Sequence, residues 1–334
     1  MAPWQRWRSR YRGACLSPLR RGKEGGNEVE ASKTRQTEAR RVPLQRRPSR
    51  LQSALSLLRR NHLALLGLAI VFATAIAAVF APLLSPADPV TNHLLDRLTP
   101  PMWISGGIPR YPLGTDTLGR DVLSRLLYGS RVSLIVGGAA VAISGLLGVF
   151  LGLLSGYYAG RLDDVLMRLG DIQLAFPILV LAIAVLAVLG ASLWNVIVVL
   201  GISGWITYAR IVRGETLSLA QREFVEAARA VGAPDRLILW RHILPNVLPP
   251  ITVVATFSVA RVIIAEASLS FLGLGMPPPA PSWGAMLDEG RNYITTGWWL
   301  ALFPGLAILL LVLGINLVGD WLRDVLDPRM ERGM

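Results

Sequence analysis

The chain has 334 residues, of which 52% are hydrophobic, and its mean hydropathy is +0.47. Several apolar runs approach twenty residues, the length that crosses a bilayer core, so the composition excludes a water-soluble fold and indicates an all-α polytopic membrane protein. The net charge of +12 does not indicate a nucleic-acid-binding protein, because no aromatic platform or RNA-binding motif accompanies the basic residues.

The basic residues are concentrated before the first apolar run, where sixty residues hold sixteen Lys and Arg against four Glu. Residues 1–50 cannot bury a core, and we expect them to form a disordered cytoplasmic tail. A polybasic segment next to a span is retained inside the cell and so directs that span outward. The only cysteine, Cys15, lies in this tail, which excludes an intramolecular disulfide.

Residues 51–132 form the first predicted region, a transmembrane helix over about residues 62–84 followed by an external amphipathic segment. In that segment, residues 111–134, three apolar residues recur at helical spacing: Leu118, Val122 and Leu126. Charged residues occupy the other faces: Arg120, Asp121 and Arg125. This pattern predicts a helix that lies at the membrane interface.

The transmembrane domain is predicted for residues 133–320. Its first span, residues 133–158, is rich in glycines, which allow helices to approach closely in lipid: Gly137, Gly138, Gly145, Gly148, Gly152 and Gly156. The chain then turns in the cytoplasm through five charged residues: Arg161, Asp163, Asp164, Arg168 and Asp171. Spans at about residues 172–191 and 193–212 are joined by a short turn near Ser192, so we expect them to form a hairpin.

A polar, Arg-rich island, EAARAVGAPDRLILWRHILP, lies at residues 226–245 between two apolar segments and must therefore meet water. It begins with helix-favouring residues: Glu226, Ala227 and Ala228. Gly232 suits the left-handed position that ends a helix, and Pro234 suits the first turn of another. The sequence thus predicts a short helix, a sharp corner and a second helix running to Pro245. Small residues and a charge at its start suit docking of a partner, although a solvated hairpin without a partner fits equally well.

The next span, at about residues 247–269, contains Arg261 and Glu266. Charges at that depth are costly and mark a water-filled path or a partner, so both residues are candidates for a translocation path. They lie about 140° apart around a helix, which disfavours a direct pair. Glu266 near the outer mouth would suit an amino group or a cation. The alternative, that both are interfacial or pair with a neighbouring subunit, has equal weight.

The last outward connection, residues 270–299, is rich in Gly and Pro and carries three tryptophans that suit the aromatic belt at the headgroups: Trp283, Trp298 and Trp299. The sixth span, about residues 300–318, returns the chain to the cytoplasm. Residues 321–334 form the predicted cytoplasmic C-terminal tail.

Several of these segments resemble one family. Glu-Ala-Ala at Glu226, then Gly232, then Leu244 and Pro245 resemble the EAA loop of the permeases of binding-protein-dependent ABC importers. His242 stands where that family often has an apolar residue, and this HILPN variant is typical of the peptide and nickel permeases. YPLGTDTLGRDVLSRLLYGSR resembles a segment of those permeases in which His replaces Tyr111, and FLGLG, PSWG and DWLRDVLDPR are also similar to them.

The resemblance implies a MetI-like ABC importer permease fold with about six transmembrane helices and both termini in the cytoplasm of a bacterium or archaeon. It implies that residues 213–245 are the loop that couples the chain to the ATPases. The implied partners are a second permease, two ATP-binding subunits and an external solute-binding protein. The implied solutes are short peptides, with nickel or glutathione-like solutes as alternatives.

The sequence has no G-x-x-x-x-G-K-[ST] pattern, so we expect ATP and Mg²⁺ to be bound by partner subunits and no cofactor or metal by this chain. H-E-x-x-H, G-x-S-x-G and paired cysteines are also missing, which argues against an enzyme. The remaining alternative is an ATP-independent channel or secondary carrier. Such a protein would show an internal repeat with interrupted spans around a midplane site, and charged pathway residues in several helices, and the sequence indicates neither.

Overall fold

The computed structural model describes residue 58 and residues 61–326, which belong to one compact unit, Leu51–Met334. The predicted basic tail, residues 1–50, lies outside the described residues. So do residues 327–334 of the predicted C-terminal tail.

The described chain folds into twelve α-helices and contains no strand, which confirms the all-helical fold class. They are α1 (His62–Val79), α2 (Ala81–Leu84), α3 (Val122–Tyr158), α4 (Gly160–Leu174), α5 (Ile178–Leu189), α6 (Leu193–Ser203), α7 (Trp205–Ala220), α8 (Glu223–Ala230), α9 (Asp235–Leu237), α10 (Leu244–Phe271), α11 (Trp283–Arg291) and α12 (Trp299–Leu326). A π-helical segment, Ile238–Ile243, joins α9 to α10, and a 3₁₀ turn, Leu94–Asp96, precedes α3.

Five helical stretches in the described range are long and apolar enough to cross a membrane: His62–Val79, Val122–Tyr158, Leu193–Ala220, Asp235–Phe271 and Trp299–Leu326. Helices α4 and α5 meet the same test together but are bent by 85°, and counting them as one span gives six. The span predicted at about residues 172–191 is therefore not one continuous helix. Pro177 has no N–H and disfavours helix at the residue before it, so the chain breaks after Leu174.

The five charged residues predicted to form a cytoplasmic turn instead lie within helix α4. Asp163 fixes this helix to α7, because its two carboxylate oxygens accept hydrogen bonds from the guanidinium of Arg213 at 2.5 and 2.6 Å. The hydroxyl of Ser155 on α3 donates to the same carboxylate. The polar segment that was predicted to be a turn is thus a helix, and its buried carboxylate has a charge partner on a neighbouring helix.

Helix α3 begins at Val122, well before the predicted second span, and absorbs part of the predicted interfacial segment. Asp121 caps it by accepting a 2.7 Å hydrogen bond from the backbone N–H of Ser124. Burial raises the pKa of Asp121, and its hydrogen bonds with Ser124 oppose that rise. The prediction of a separate amphipathic interface helix is wrong, since Arg120, Asp121 and Arg125 are all buried.

Glycines in α3 do allow close helix packing. A Cβ added to Gly148 would lie 2.4 Å from the carbonyl oxygen of Trp205, and one on Gly152 would lie 2.6 Å from that of Ala209. Gly156, one turn further on, contacts the same helix, α7. The interpretation of these glycines as packing residues is confirmed for this face of α3.

The loops that precede α3 and α12 meet at one end of the bundle, which we call the far end. Two predicted belt tryptophans are buried there: Trp283 donates its indole N–H to Leu126 at 2.9 Å, and Trp299 donates to Thr115 at 3.1 Å. The prediction that they lie at the headgroups is wrong, because their indole nitrogens find backbone partners inside the protein. Trp298 is 37% exposed and keeps that prediction open.

Candidate functional site

The polar island forms the hairpin, defined here as residues 223–245, at the end of the bundle opposite the far end. Helix α8 ends in two hydrogen bonds, from Ala233 N–H to the Ala228 carbonyl and from Gly232 N–H to the Arg229 carbonyl. This pairing is the Schellman arrangement, in which the residue after the helix takes a left-handed conformation. Gly232 has φ of +82°, so the predicted glycine corner is confirmed.

The second limb of the hairpin differs from the prediction. It does not end at Pro245 but continues through the π-helical segment into α10, so one helical stretch runs from Asp235 to Phe271. Pro245 cannot donate the hydrogen bond that an α-helix needs there, and the N–H of Leu244 bonds instead to the carbonyl of Leu239, five residues earlier. The hairpin is therefore continuous with a membrane span.

The inner face of the hairpin is anchored to the bundle. Val225, Ile238 and Ile243 are fully buried in a cluster that includes residues of α3, α7 and α10. The Tyr157 hydroxyl at the end of α3 donates a 2.6 Å hydrogen bond to Asp235, and the Arg229 guanidinium lies 5.0 Å from the centre of the Tyr157 ring. These contacts hold the base of the hairpin in one position.

The outer face of the hairpin is free within the described chain. Glu226 and Ala227 are exposed, Ala228 is half-buried against the cluster, Leu244 is half-buried and Pro245 is exposed. Large apolar side chains lie beside them, with Val231 88% and Trp240 59% exposed. An anchored element that presents apolar and charged side chains to solvent has the surface composition of a docking site.

A second candidate site is the central cavity, with a volume of about 400 Å³. Its wall is formed by α3, α6, α7 and α10 together with the break between α4 and α5. The polar side chains in the wall belong to six residues: Ser144, Gln173, Ser203, Thr207, Tyr208 and Ser258. One charged residue, Arg261, also lines it, and the rest of the wall is mainly apolar.

Arg261 lies ten residues before the end of α10, so its Cα is roughly 15 Å from that end along the helix axis. It is exposed, and within residues 61–326 no carboxylate forms an ion pair with it. A charge at such depth is stable only where water or a ligand reaches it. Arg261 lines the central cavity, and its role on a translocation path stays a prediction.

Glu266 lies elsewhere. It is 1% exposed, its carboxylate accepts a 2.7 Å hydrogen bond from the Ser270 hydroxyl, and its second oxygen has no partner in the described chain. It is not among the residues that line the central cavity. The role of Glu266 in the path stays a prediction. Its side chain does not pair with that of Arg261, as the helical spacing indicated.

Sequence analysis missed two features of these sites. The break between α4 and α5 lines the cavity. Pro177 was the residue in the sequence that indicated this break. Tyr208 was overlooked because a single tyrosine in an apolar span has no distinguishing pattern, yet its ring is buried and its hydroxyl has no hydrogen-bond partner in the described residues.

Comparison with known proteins gives consistent matches. Residues 148–332 match a family model described as the binding-protein-dependent transport system inner membrane component. Residues 49–101 match the N-terminal TM domain of oligopeptide transport permease C.

Three relatives show the extent of the likeness. The di/tripeptide transport system permease protein DppC of Pseudomonas aeruginosa is 44% identical over 85% of this chain and 94% of its own length. The dipeptide transport system permease protein DppC of Alkalihalophilus pseudofirmus is 42% identical over 84% and 90%. The glutathione transport system permease protein GsiD of Pectobacterium atrosepticum is 45% identical over 81% and 89%. A chain of a solved structure of the MetNI methionine ABC transporter is similar over 60% of this chain and 96% of its own length, with a TM-score of 0.49 and 21% identity.

Proposed function

The chain belongs to the family of binding-protein-dependent transport system inner membrane components, and from this premise we propose that it is the permease subunit of an ABC importer for short peptides. The observation that carries the proposal is the hairpin, whose base is buried while its outer face is exposed. The names of the dipeptide and di/tripeptide relatives support a peptide as the solute.

The assembly that we propose contains a second related permease, two ATP-binding subunits and an external solute-binding protein. ATP and Mg²⁺ bind to the ATP-binding subunits. Both termini of this chain lie in the cytoplasm, which places the hairpin end inside and the far end outside. Basic residues around the hairpin support this orientation through the positive-inside rule: Arg210, Arg213, Arg222, Arg229 and Arg236.

Coupling follows from the continuity of the second limb with the membrane span. When the ATP-binding subunits close on ATP, they displace the outer face of the hairpin around Glu226. Because the helical stretch from Asp235 to Phe271 includes Arg261, movement of the hairpin also moves one wall of the central cavity. The chain thus switches between packed arrangements and performs no covalent chemistry.

Two kinds of alternative remain, a different solute and a different class of transporter. The glutathione permease among the relatives supports a glutathione-like solute, and nickel is the further alternative that the sequence motifs left open. A channel or secondary carrier would show interrupted spans, and the bent pair α4 and α5 is one such interruption. Family membership outweighs that single feature, because the family is one of binding-protein-dependent transport systems.

The proposal is tested by co-purification with the ATP-binding subunits and by uptake of radiolabelled dialanine into cells that produce the complete set of partners. Glu226→Lys reverses an exposed charge on the hairpin, and we expect loss of co-purification and uptake. Asp320→Lys is the control, since Asp320 is also exposed but lies on α12 outside residues 213–245. Full co-purification and uptake with Glu226→Lys would contradict the coupling role.

A further inference from the structure

The central cavity combines two polar groups that lack partners. Arg261 carries a full charge without an ion pair in the described chain, and the buried hydroxyl of Tyr208 has no hydrogen-bond partner there. A buried hydroxyl without a partner is costly, and an exposed guanidinium without an ion pair is available to an anion, so this wall offers donors to an acceptor that it does not itself contain. Ser258, one turn before Arg261 on α10, adds a third donor to the same wall.

Resting on the function proposed above, we propose that Arg261, Tyr208 and Ser258 form a transient binding site for the carboxylate group of the solute. The guanidinium has a planar fork of N–H donors that matches the two oxygens of a carboxylate, and the two hydroxyls can donate to the same oxygens. No Asp or Glu lines the cavity, so no acid of this wall competes for the guanidinium.

The rest of the wall fits the remainder of a short peptide. Leu174, Phe176, Ile178 and Leu181 line the cavity near the bend between α4 and α5 and make no hydrogen bonds through their side chains. An apolar wall discriminates weakly between side chains, whereas a polar anchor rejects ligands that lack its partner. The site would therefore recognise the carboxylate that all unmodified peptides share and tolerate different side chains.

The cavity volume is compatible with this occupant. About 400 Å³ lies in the range of small-molecule sites, which are mostly apolar with a few placed polar groups. A site on a transport path must also release its ligand, and a single ion pair that water can reach meets that need better than a closed cluster.

The first experiment needs no knowledge of the solute. Cys15→Ser removes the only cysteine, and Ala265→Cys then places a reporter thiol on the cavity wall one turn after Arg261. Membranes that contain the full complex are treated with anionic sulfonatoethyl and cationic trimethylammonioethyl methanethiosulfonate. We expect the anionic reagent to be favoured, and the ratio of the two rates to fall about tenfold with Arg261→Gln but not with Arg261→Lys.

Arg291→Gln is the matched control, because it removes a largely exposed guanidinium outside the cavity and should leave the ratio unchanged. No labelling of the reporter by either reagent would show that water does not reach the cavity. If the ratio of the two labelling rates is the same in the Arg261 protein and in the Arg261→Gln variant, the guanidinium does not determine the charge preference of the cavity. Either result overturns the inference.

The second experiment distinguishes a carboxylate from other anions. Dialanine should slow labelling of the reporter, whereas alanyl-alaninamide, which lacks the carboxylate, should not, and Arg261→Gln should abolish the difference. Equal protection by both compounds would overturn the inference. Failure of dialanine uptake by the unmodified complex, with the charge-selective labelling intact, would instead contradict the peptide-import function while the anion-selective cavity stands.

Discussion

The two ends of the molecule hold their charged residues in opposite ways. At the far end, the ion cluster consists of Asp116, Arg120, Arg125 and Glu289. Asp116 binds Arg120 at 2.6 Å and Arg125 at 2.5 Å, and Glu289 binds each of the two arginines at 3.0 Å. At the hairpin, Glu226 is exposed and takes part in none of the ion pairs of the described chain.

The charges at the far end are structural because they pair with one another, whereas the charge of Glu226 at the hairpin is available to a partner. The far-end cluster joins a loop before α3 to helix α11, residues more than 160 positions apart in the chain. Two positive and two negative groups balance there, so the cluster needs no external ligand. The hairpin is buried only on its inner side, and its exposed apolar residues are best covered by another protein.

The largest effect is expected from breaking the far-end cluster. Asp116→Asn leaves two buried guanidinium groups against one carboxylate, and removal of one member of a buried ion pair typically costs about 3–5 kcal/mol. We expect a large fall in the abundance of the protein in the membrane and in the thermal midpoint of the purified complex. Asp88→Asn, on an exposed part of the same end, is the control. Wild-type abundance and midpoint would show that the cluster is not structural.

An intermediate effect is expected at the hairpin corner. Gly232→Ala forces a Cβ into a left-handed conformation, with φ of +82°, at a cost of about 1–2 kcal/mol. Because nothing lies within 4 Å of the added Cβ, the cost is conformational, and we expect weaker coupling of ATP hydrolysis to uptake while membrane abundance is kept. Pro at this position should abolish uptake, since its ring fixes φ at a negative value.

Gly138→Ala is the matched control for that substitution. Gly138 lies in helix α3, its added Cβ would also meet nothing within 4 Å, and its φ is not positive. Alanine there should leave both coupling and abundance unchanged. If the two alanine variants behave alike, the left-handed corner has no part in coupling.

The sequence predicted what depends on local rules. The number of spans follows from apolar length, and the corner at Gly232 follows from the helix-ending preference of glycine. The packing role of Gly148 and Gly152 follows from the need for close helix contact in lipid. Each of these predictions needs only the local sequence, even where the contact partner, as for Gly148, lies on another helix.

Predictions that depended on distant partners were wrong. Arg120 and Arg125 were assigned to the charged faces of an amphipathic segment at the membrane interface, because Glu289, which completes their cluster, lies more than 160 residues later. Trp283 was assigned to the headgroups because its acceptor, the carbonyl of Leu126, could not be foreseen. A polar side chain in a membrane protein is exposed or buried according to partners that no local pattern contains.

The smallest expected effect concerns the attachment of the hairpin to the bundle. Tyr157→Phe removes the 2.6 Å hydrogen bond to Asp235 but keeps the ring under the Arg229 guanidinium, so it should cost about 1 kcal/mol. Tyr158→Phe is the control, because Tyr158 is 53% exposed. We expect a small fall in the thermal midpoint for Tyr157→Phe alone, with faster proteolysis of the hairpin in isolated membranes.

The buried side chains of Val225, Ile238 and Ile243 should still hold the base of the hairpin in the Tyr157→Phe variant, so uptake should decrease only slightly. Loss of uptake as complete as that with Glu226→Lys would show that the anchor, rather than the exposed face, limits coupling, and it would reverse the contrast drawn between the two faces.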